Sequence, residues 1–250
     1  MPDQGTYLYC IIEGGDGATF GPLGIGGRGD ELYTVTFQDI GAVVSRCQVK
    51  RYPVSRENSL AHEQAIEAAF KSRTALPVRF CTIAEDEREV RAILAREYGE
   101  LKGLLGRMRG KTELGVKAVF HEELIFQEIL EGNAEIRRRK DAMAAMPPQR
   151  AHAHLVEIGG MVEAALRVEK ARCREEIVEA LKGCCHDLRL SDRLLGERMI
   201  LNAAFLVDRD QECAFDRRMD ELGERYGERV RFRYVKGFPP FSFVNLVIKV

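Results

Sequence analysis

No stretch of this chain approaches the ~20 consecutive apolar residues that a membrane helix needs. Net charge is nearly absent as well: 38 Lys and Arg stand against 39 Asp and Glu, leaving −1. A dedicated nucleic-acid binder would need a clear basic surplus, so that class is disfavoured. The opening Met1-Pro2-Asp3-Gln4 has neither the basic region nor the apolar core of a signal peptide, which predicts a cytoplasmic protein. The seven cysteines form no regular framework and include no C-x-x-C pair. Free, mostly buried thiols in a reducing compartment are expected. There is no nucleophile-elbow signature, no internal repeat and no low-complexity tract beyond one glycine-rich loop. What is present, 45% hydrophobic and 31% charged residues over 250 positions, suits a soluble globular protein of one large or two modest domains.

The hydrophobic pattern alternates between strand and helix periods. Tyr7–Ile12 is almost wholly apolar, as in a strand covered on both faces. A loop from Gly14 to Gly29 follows, then strand-like runs at Leu32–Phe37 and Ala42–Ser45, split by Gln38-Asp39-Ile40-Gly41, a hairpin turn. Ser55 or Asn58 can cap a helix over about 57–72, on which His62, Ile66, Ala69 and Phe70 share a face. In the strand Pro77–Ile83, alternation points Val78, Phe80 and Thr82 one way and Arg79, Cys81 and Ile83 the other. Asp86 with Glu89 resembles a capping box. The following stripe, Val90, Leu94, Tyr98, Leu101, Leu105 and Met108, predicts one continuous helix ended by Gly110. Leu114–Phe120 opens a second half: a charged helical stretch to Ala145, a break at Pro147-Pro148, and a helix of ~50 Å over about 150–182. Its apolar side is marked by Leu155, Ile158, Val162, Leu166, Cys173, Ile177 and Leu181, interrupted near Glu169-Lys170. A short strand near 187–191, a buried strand at Met199–Val207, a helix carrying Phe215, Met219, Leu222 and Tyr226, and a half-exposed strand from Val230 complete a βαββαβ order. The predicted fold is α+β in two domains: an N-terminal mixed α+β domain over 1–110 and a ferredoxin-like domain over 111–250 with a helical insertion at about 122–183.

Few residues suggest chemistry. Gly24-Ile25-Gly26-Gly27-Arg28-Gly29 spells G-x-G-x-x-G, but it precedes a strand-like run where the dinucleotide fingerprint must open a helix, so it reads as a flexible surface loop. Cys184-Cys185-His186 and Cys173 lack the paired spacing of zinc ligands. His152 and His154 are two apart on a helix and diverge. His62, on an apolar helix face without a matching nucleophile, reads as a packed or interface histidine. The run Arg137-Arg138-Arg139-Lys140 reads as a solvated helix face. Arg79 either forms an ion pair that locks sheet to helix or faces a partner. Phe238-Pro239-Pro240-Phe241-Ser242-Phe243 is either a rigid corner plugging the core of the second domain or an exposed docking surface.

Taken in order, the strand with Tyr7 and Tyr9, the loop ending at Gly24 to Gly27, Ala42-Val43-Val44-Ser45, His62, Leu76 to Thr82, Asp86, Lys111 to Lys117 and the closing Gly237 to Val244 resemble the gas vesicle protein F/L family over nearly the whole chain. Two departures stand out. The family pattern has glycine where this chain has Cys81. Its closing motif reads glycine-proline-aromatic-proline-proline-tyrosine, whereas here Gly237 passes directly to Phe238-Pro239-Pro240-Phe241. The resemblance implies a two-domain α+β protein with a ferredoxin-like second domain, located in the cytoplasm and with gas vesicles. It implies an accessory protein that binds the small hydrophobic shell protein and other assembly factors, or alternatively a minor structural component of the shell. No enzymatic activity, catalytic residue, cofactor, metal, nucleic acid or membrane is implied. His62, Arg79, Phe80, Lys117, Phe238, Pro239, Pro240, Phe241 and Phe243 are the candidate partner-binding or structural residues. The exposed apolar surface that binding needs is expected at the Phe238–Phe243 corner or along the 150–182 helix.

Overall fold

A computed structural model describes residues 4–15, 17–144, 148–192 and 196–248. The chain divides into two compact units, residues 1–113 with 236–250, and residues 114–235. The closing segment thus packs with the first unit and not with the ferredoxin-like sheet that precedes it in sequence. Pairing explains this: Val78 and Leu246 form a parallel bridge, and Arg79 N–H donates to the Leu246 carbonyl at 3.2 Å.

The first unit is built on β1 (Gln4–Glu13), β2 (Tyr33–Phe37), β3 (Ile40–Gln48) and β4 (Ala75–Ala84), with sheet order β2-β3-β1-β4 and antiparallel pairing throughout. Tyr7 to Ile12 on the central β1 are all fully buried, as a strand covered on both faces must be. One face carries α1 (Arg56–Phe70), capped by the Ser55 hydroxyl, which accepts from Asn58 N–H. The other carries α2 (Glu87–Arg96), α3 (Tyr98–Met108) and the closing residues Val244, Leu246 and Ile248. The Asp86 carboxylate accepts from Arg88 and Glu89 N–H at the start of α2, and Glu89 reaches back to Glu85 N–H. The single helix expected over 90–108 is broken at Glu97, whose ψ of 8° leaves the helical range. Its stripe stays in one core all the same: Val90, Leu94, Leu101 and Leu105 are fully buried together.

The second unit is built on β5 (Lys111–Phe120), β6 (Asp187–Leu190), β7 (Met199–Asp208) and β8 (Val230–Phe238), ordered β6-β7-β5-β8. In both units the order is second, third, first, fourth, the ferredoxin-like arrangement. No sequence repeat announces this shared plan, because the crossovers differ: the first unit uses the glycine-rich loop where the second uses α4 (Glu122–Gly132), α5 (Ala134–Ala144) and α6 (Pro148–Lys182). Asn133 separates α4 from α5 and caps the latter, its side-chain oxygen accepting from Glu135 and Ile136 N–H. A single core gathers α4, α5, α6, α7 (Glu212–Tyr226) and the inward residues Leu114, Val116, Ala118 and Phe120 of β5. Within α6, Ile158, Leu166, Cys173, Ile177 and Leu181 are buried as expected, but Leu155 is 51% exposed and does not belong to the buried side. The interruption at Glu169 has a purpose. Its carboxylate pairs with Arg229, which also holds Glu128 at 2.6 Å, so α4, α6 and the approach to β8 are tied by charge. Glu169 also accepts from Arg172, and that hydrogen bond first, then the one from Arg229, holds its carboxyl down at about 2.

Candidate functional site

Tyr7 and Tyr9 put two hydroxyls into a strand with no access to water, and each must find partners inside. The Tyr7 oxygen accepts from Cys81 N–H at 2.7 Å and lies 3.2 Å from His62 Nδ1. His62 Nε2 lies 3.1 Å from the Val78 carbonyl. A carbonyl only accepts, so Nε2 carries the proton and Nδ1 takes the Tyr7 hydroxyl proton. Burial, the largest influence, lowers the His62 pKa to about 4, which keeps the ring neutral. The Tyr9 oxygen accepts from Ile25 N–H at 2.7 Å and meets the Ser45 hydroxyl at 2.8 Å; burial pushes its pKa up to about 12. The glycine-rich loop is therefore pinned to the sheet through Ile25, itself fully buried, and is not the free surface loop expected from its composition. It leads into β2, so it opens no helix for a pyrophosphate.

Tyr7 and His62 together hold an irregularity in β4. Leu8 pairs with Thr82 but Cys10 pairs with Pro77, so residues 78 to 81 have no partner on β1. Cys81 turns the chain there with φ of 65°, the region that favours glycine. This gives the glycine of the F/L pattern a physical reason, and cysteine accepts the conformation at a cost of about 1–3 kcal/mol. The excursion also breaks the expected alternation. Val78 faces the α2–α3 core, whereas Phe80 and Cys81 both pack against the Tyr7–His62 cluster on the other side. Phe80 meets the His62 ring edge-on at 5.5 Å. Arg79 is carried outward and is exposed, and among the described residues its guanidinium forms no ion pair. The expected lock between sheet and helix is instead supplied by the neutral His62.

The Phe238–Phe243 corner is largely inside. Pro239 and Pro240 are buried and Phe241 packs against the Tyr7–His62 cluster. The core it plugs is that of the first unit, which corrects the expected placement in the second domain. Phe238 and Phe243 are half-buried at its ends. Successive turns close it, with Phe241 N–H donating to the Pro239 carbonyl at 2.7 Å and Val244 N–H to the Pro240 carbonyl at 3.0 Å. Glu113 anchors it: one carboxylate oxygen accepts from Ser242 N–H and the other from the Ser242 hydroxyl, both at 2.7 Å. Burial raises the Glu113 pKa. Sequence reasoning passed over Glu113, because no local pattern marks it: Lys111 and Lys117 share its strand, and Ser242, the residue that satisfies it, lies 129 positions away.

Thus His62, Phe80 and Phe241 meet in one cluster, Arg79 stands outside it, and Lys117 is exposed on β5 in the other unit. Every buried polar side-chain atom among the described residues has a partner, so the cluster reads as a structural keystone. Cys173 lies 3.4 Å from Arg229 within the ion-pair network, and no group of metal-ligating side chains forms among the described residues.

Exposed apolar side chains occur in both units: Val49, Val54 and Val247 in the first, and a group on α6 in the second. Leu155, Val156 and Val168 are more than half exposed. A cleft of about 460 Å³ runs between α6 and the β6 edge of the second sheet. Ala171, Val178, Leu190 and Ile200 give it an apolar floor, and Arg167, Lys170, Arg174 and Glu175 a charged rim. No described helix is long and apolar enough to cross a membrane.

A sequence model of the gas vesicle synthesis protein GvpL/GvpF family matches residues 5–245. Gas vesicle protein F of Dolichospermum flosaquae is 26% identical over 205 residues, covering 81% of this chain and 82% of that protein. Gas vesicle protein F of Streptomyces sp. (strain CB03234) is 28% identical over 243 residues, covering 96% and 99%. The crystal structure of the gas vesicle protein GvpF from Anabaena sp. PCC7120 superposes with a TM-score of 0.82 at 24% identity, over 97% of this chain and 99% of that one.

Proposed function

Because the chain belongs to the gas vesicle synthesis protein GvpL/GvpF family, we propose that it serves gas vesicle formation as an accessory protein that binds the small hydrophobic shell protein. The supporting observation is the cleft between α6 and β6, where an apolar floor sits inside a charged rim. A carrier of an apolar subunit needs a surface that shields the subunit's apolar face while remaining soluble itself. The Phe238–Phe243 corner is a weaker candidate, since its prolines and Phe241 are already committed inside. The role is non-enzymatic, cytoplasmic and directed at other gas vesicle accessory proteins as well.

Co-expression of the tagged chain with the shell protein tests this. Wild type should retain the shell protein on the affinity resin. Val178→Glu with Leu190→Glu, which puts charge on the cleft floor, should release it while circular dichroism shows the variant still folded; because Val178 also packs on the core, its melting temperature should fall somewhat. No retention by wild type, or equal retention by the variant, would overturn the proposal. Loss of the chain from salt-washed vesicles marks a transient adaptor; retention favours the alternative, a minor component of the shell.

A further inference from the structure

We propose that the outer face of the second sheet is a docking surface for an acidic amphipathic helix of a partner protein. It goes beyond the cleft described above and does not depend on it. The inward residues of β5 are Leu114, Val116, Ala118 and Phe120, and those of β8 are Val230, Phe232 and Tyr234. Alternation therefore turns Gly115, Lys117 and Val119, and Arg231, Arg233 and Val235, to the opposite face.

Register follows from two contacts. His121 N–H donates to the Arg229 carbonyl at 2.9 Å, and a Cβ on Gly115 would lie 2.9 Å from a methyl of Val235. Both place residues opposite one another in the same antiparallel frame, which sets Lys117 across from Arg233 and Val119 across from Arg231. Like charges directly opposite each other destabilise a sheet. Lys117, Arg231 and Arg233 are exposed, and among the described residues none has an ion pair or a hydrogen bond through its side chain. The acid of the far edge, Asp187, is already held by Arg189 at 3.1 Å. The face thus keeps three uncompensated cations around a small apolar strip of Val119 and Val235, the latter lying over Gly115.

The chemistry of the occupant follows from what surrounds those cations. Single-stranded nucleic acid is bound by stacking on aromatic side chains as well as by charge. The aromatics of β8 within this unit, Phe232 and Tyr234, both turn inward, and the chain as a whole carries −1. An acidic protein segment needs no stacking platform. A helix with carboxylates flanking a narrow apolar stripe would pair with all three cations and cover the strip.

Fluorescence anisotropy with the full-length protein tests the assignment. The probes are a labelled amphipathic helical peptide with glutamate flanks, the same peptide with glutamine flanks, and a labelled single-stranded RNA. The glutamate peptide should bind, and raised salt should weaken it. Glutamine flanks should weaken it by about tenfold or more. Lys117→Glu with Arg233→Glu should do the same, as should the milder Lys117→Gln with Arg233→Gln, whereas Arg137→Glu with Arg138→Glu on α5 should leave it unchanged. Circular dichroism confirms that each variant is folded. No binding of the glutamate peptide, unchanged binding by the sheet-face variants, or tighter binding of the RNA would overturn the assignment.

Discussion

Protonation of His62 should unfasten the first unit in a narrow pH range. In the fold the ring is neutral, because Nδ1 must accept from Tyr7 and the ring is buried, and its pKa is about 4. In the unfolded chain the ordinary value is near 6.5. Between these two values the unfolded state binds the proton and the folded state does not. Stability therefore falls as pH falls through this window. Linkage gives a loss of about 2 kcal/mol by pH ~5 and about 3 kcal/mol by pH ~4. Glu113 works against this slope: burial raises its pKa, so the folded state gains a proton first and stability rises as pH falls. The comparison that isolates His62 is wild type against His62→Gln, whose amide can still donate to Val78 and accept from Tyr7 but does not titrate. Urea unfolding at several pH values from about 7.5 to about 5 should show the difference between the two proteins shrinking by about 2 kcal/mol. A difference that stays flat across that range would refute the assigned tautomer and burial.

Glu113→Ala should remove both anchors of Ser242 and cost about 1–3 kcal/mol, with faster amide exchange confined to Phe241–Val244; exchange unchanged there would mean that the corner holds itself. Cys81→Val should cost about 2 kcal/mol, since a branched side chain is poorly tolerated at positive φ. Cys81→Gly should be nearly neutral by thermal melting, because relief of the backbone offsets the lost contact of Sγ with Tyr52 N–H at 3.4 Å.

Much of this architecture is legible in the sequence, and the exceptions have physical causes. The apolar run Tyr7–Ile12 could only be a strand buried on both faces, and the Asp86 cap and the stripe from Val90 to Leu105 needed no tertiary information. The break at Glu97 was not legible, because the apolar stripe continues through it and the nearby Gly99 is tolerated inside a helical pattern. The excursion at 78–81 was hidden by Cys81, which adopts a conformation that a non-glycine residue seldom signals. Leu155 lies on the correct helical stripe but is exposed, which periodicity alone cannot report. Glu113 and Ser242 meet across 129 positions, and only the fold brings them together. The interruption at Glu169, legible as a flaw in the α6 stripe, turns out to mark its ion pair with Arg229. Function was carried by the order of many short motifs, with no catalytic constellation among them.

The most direct test of the α6–β6 cleft as the working surface is complementation in gas-vesicle-forming cells that lack their own copy of this protein. Wild type should restore vesicles, read as turbidity that collapses under pressure, and Val178→Glu with Leu190→Glu should not, although both accumulate as folded protein. Vesicles restored equally by both would contradict the account.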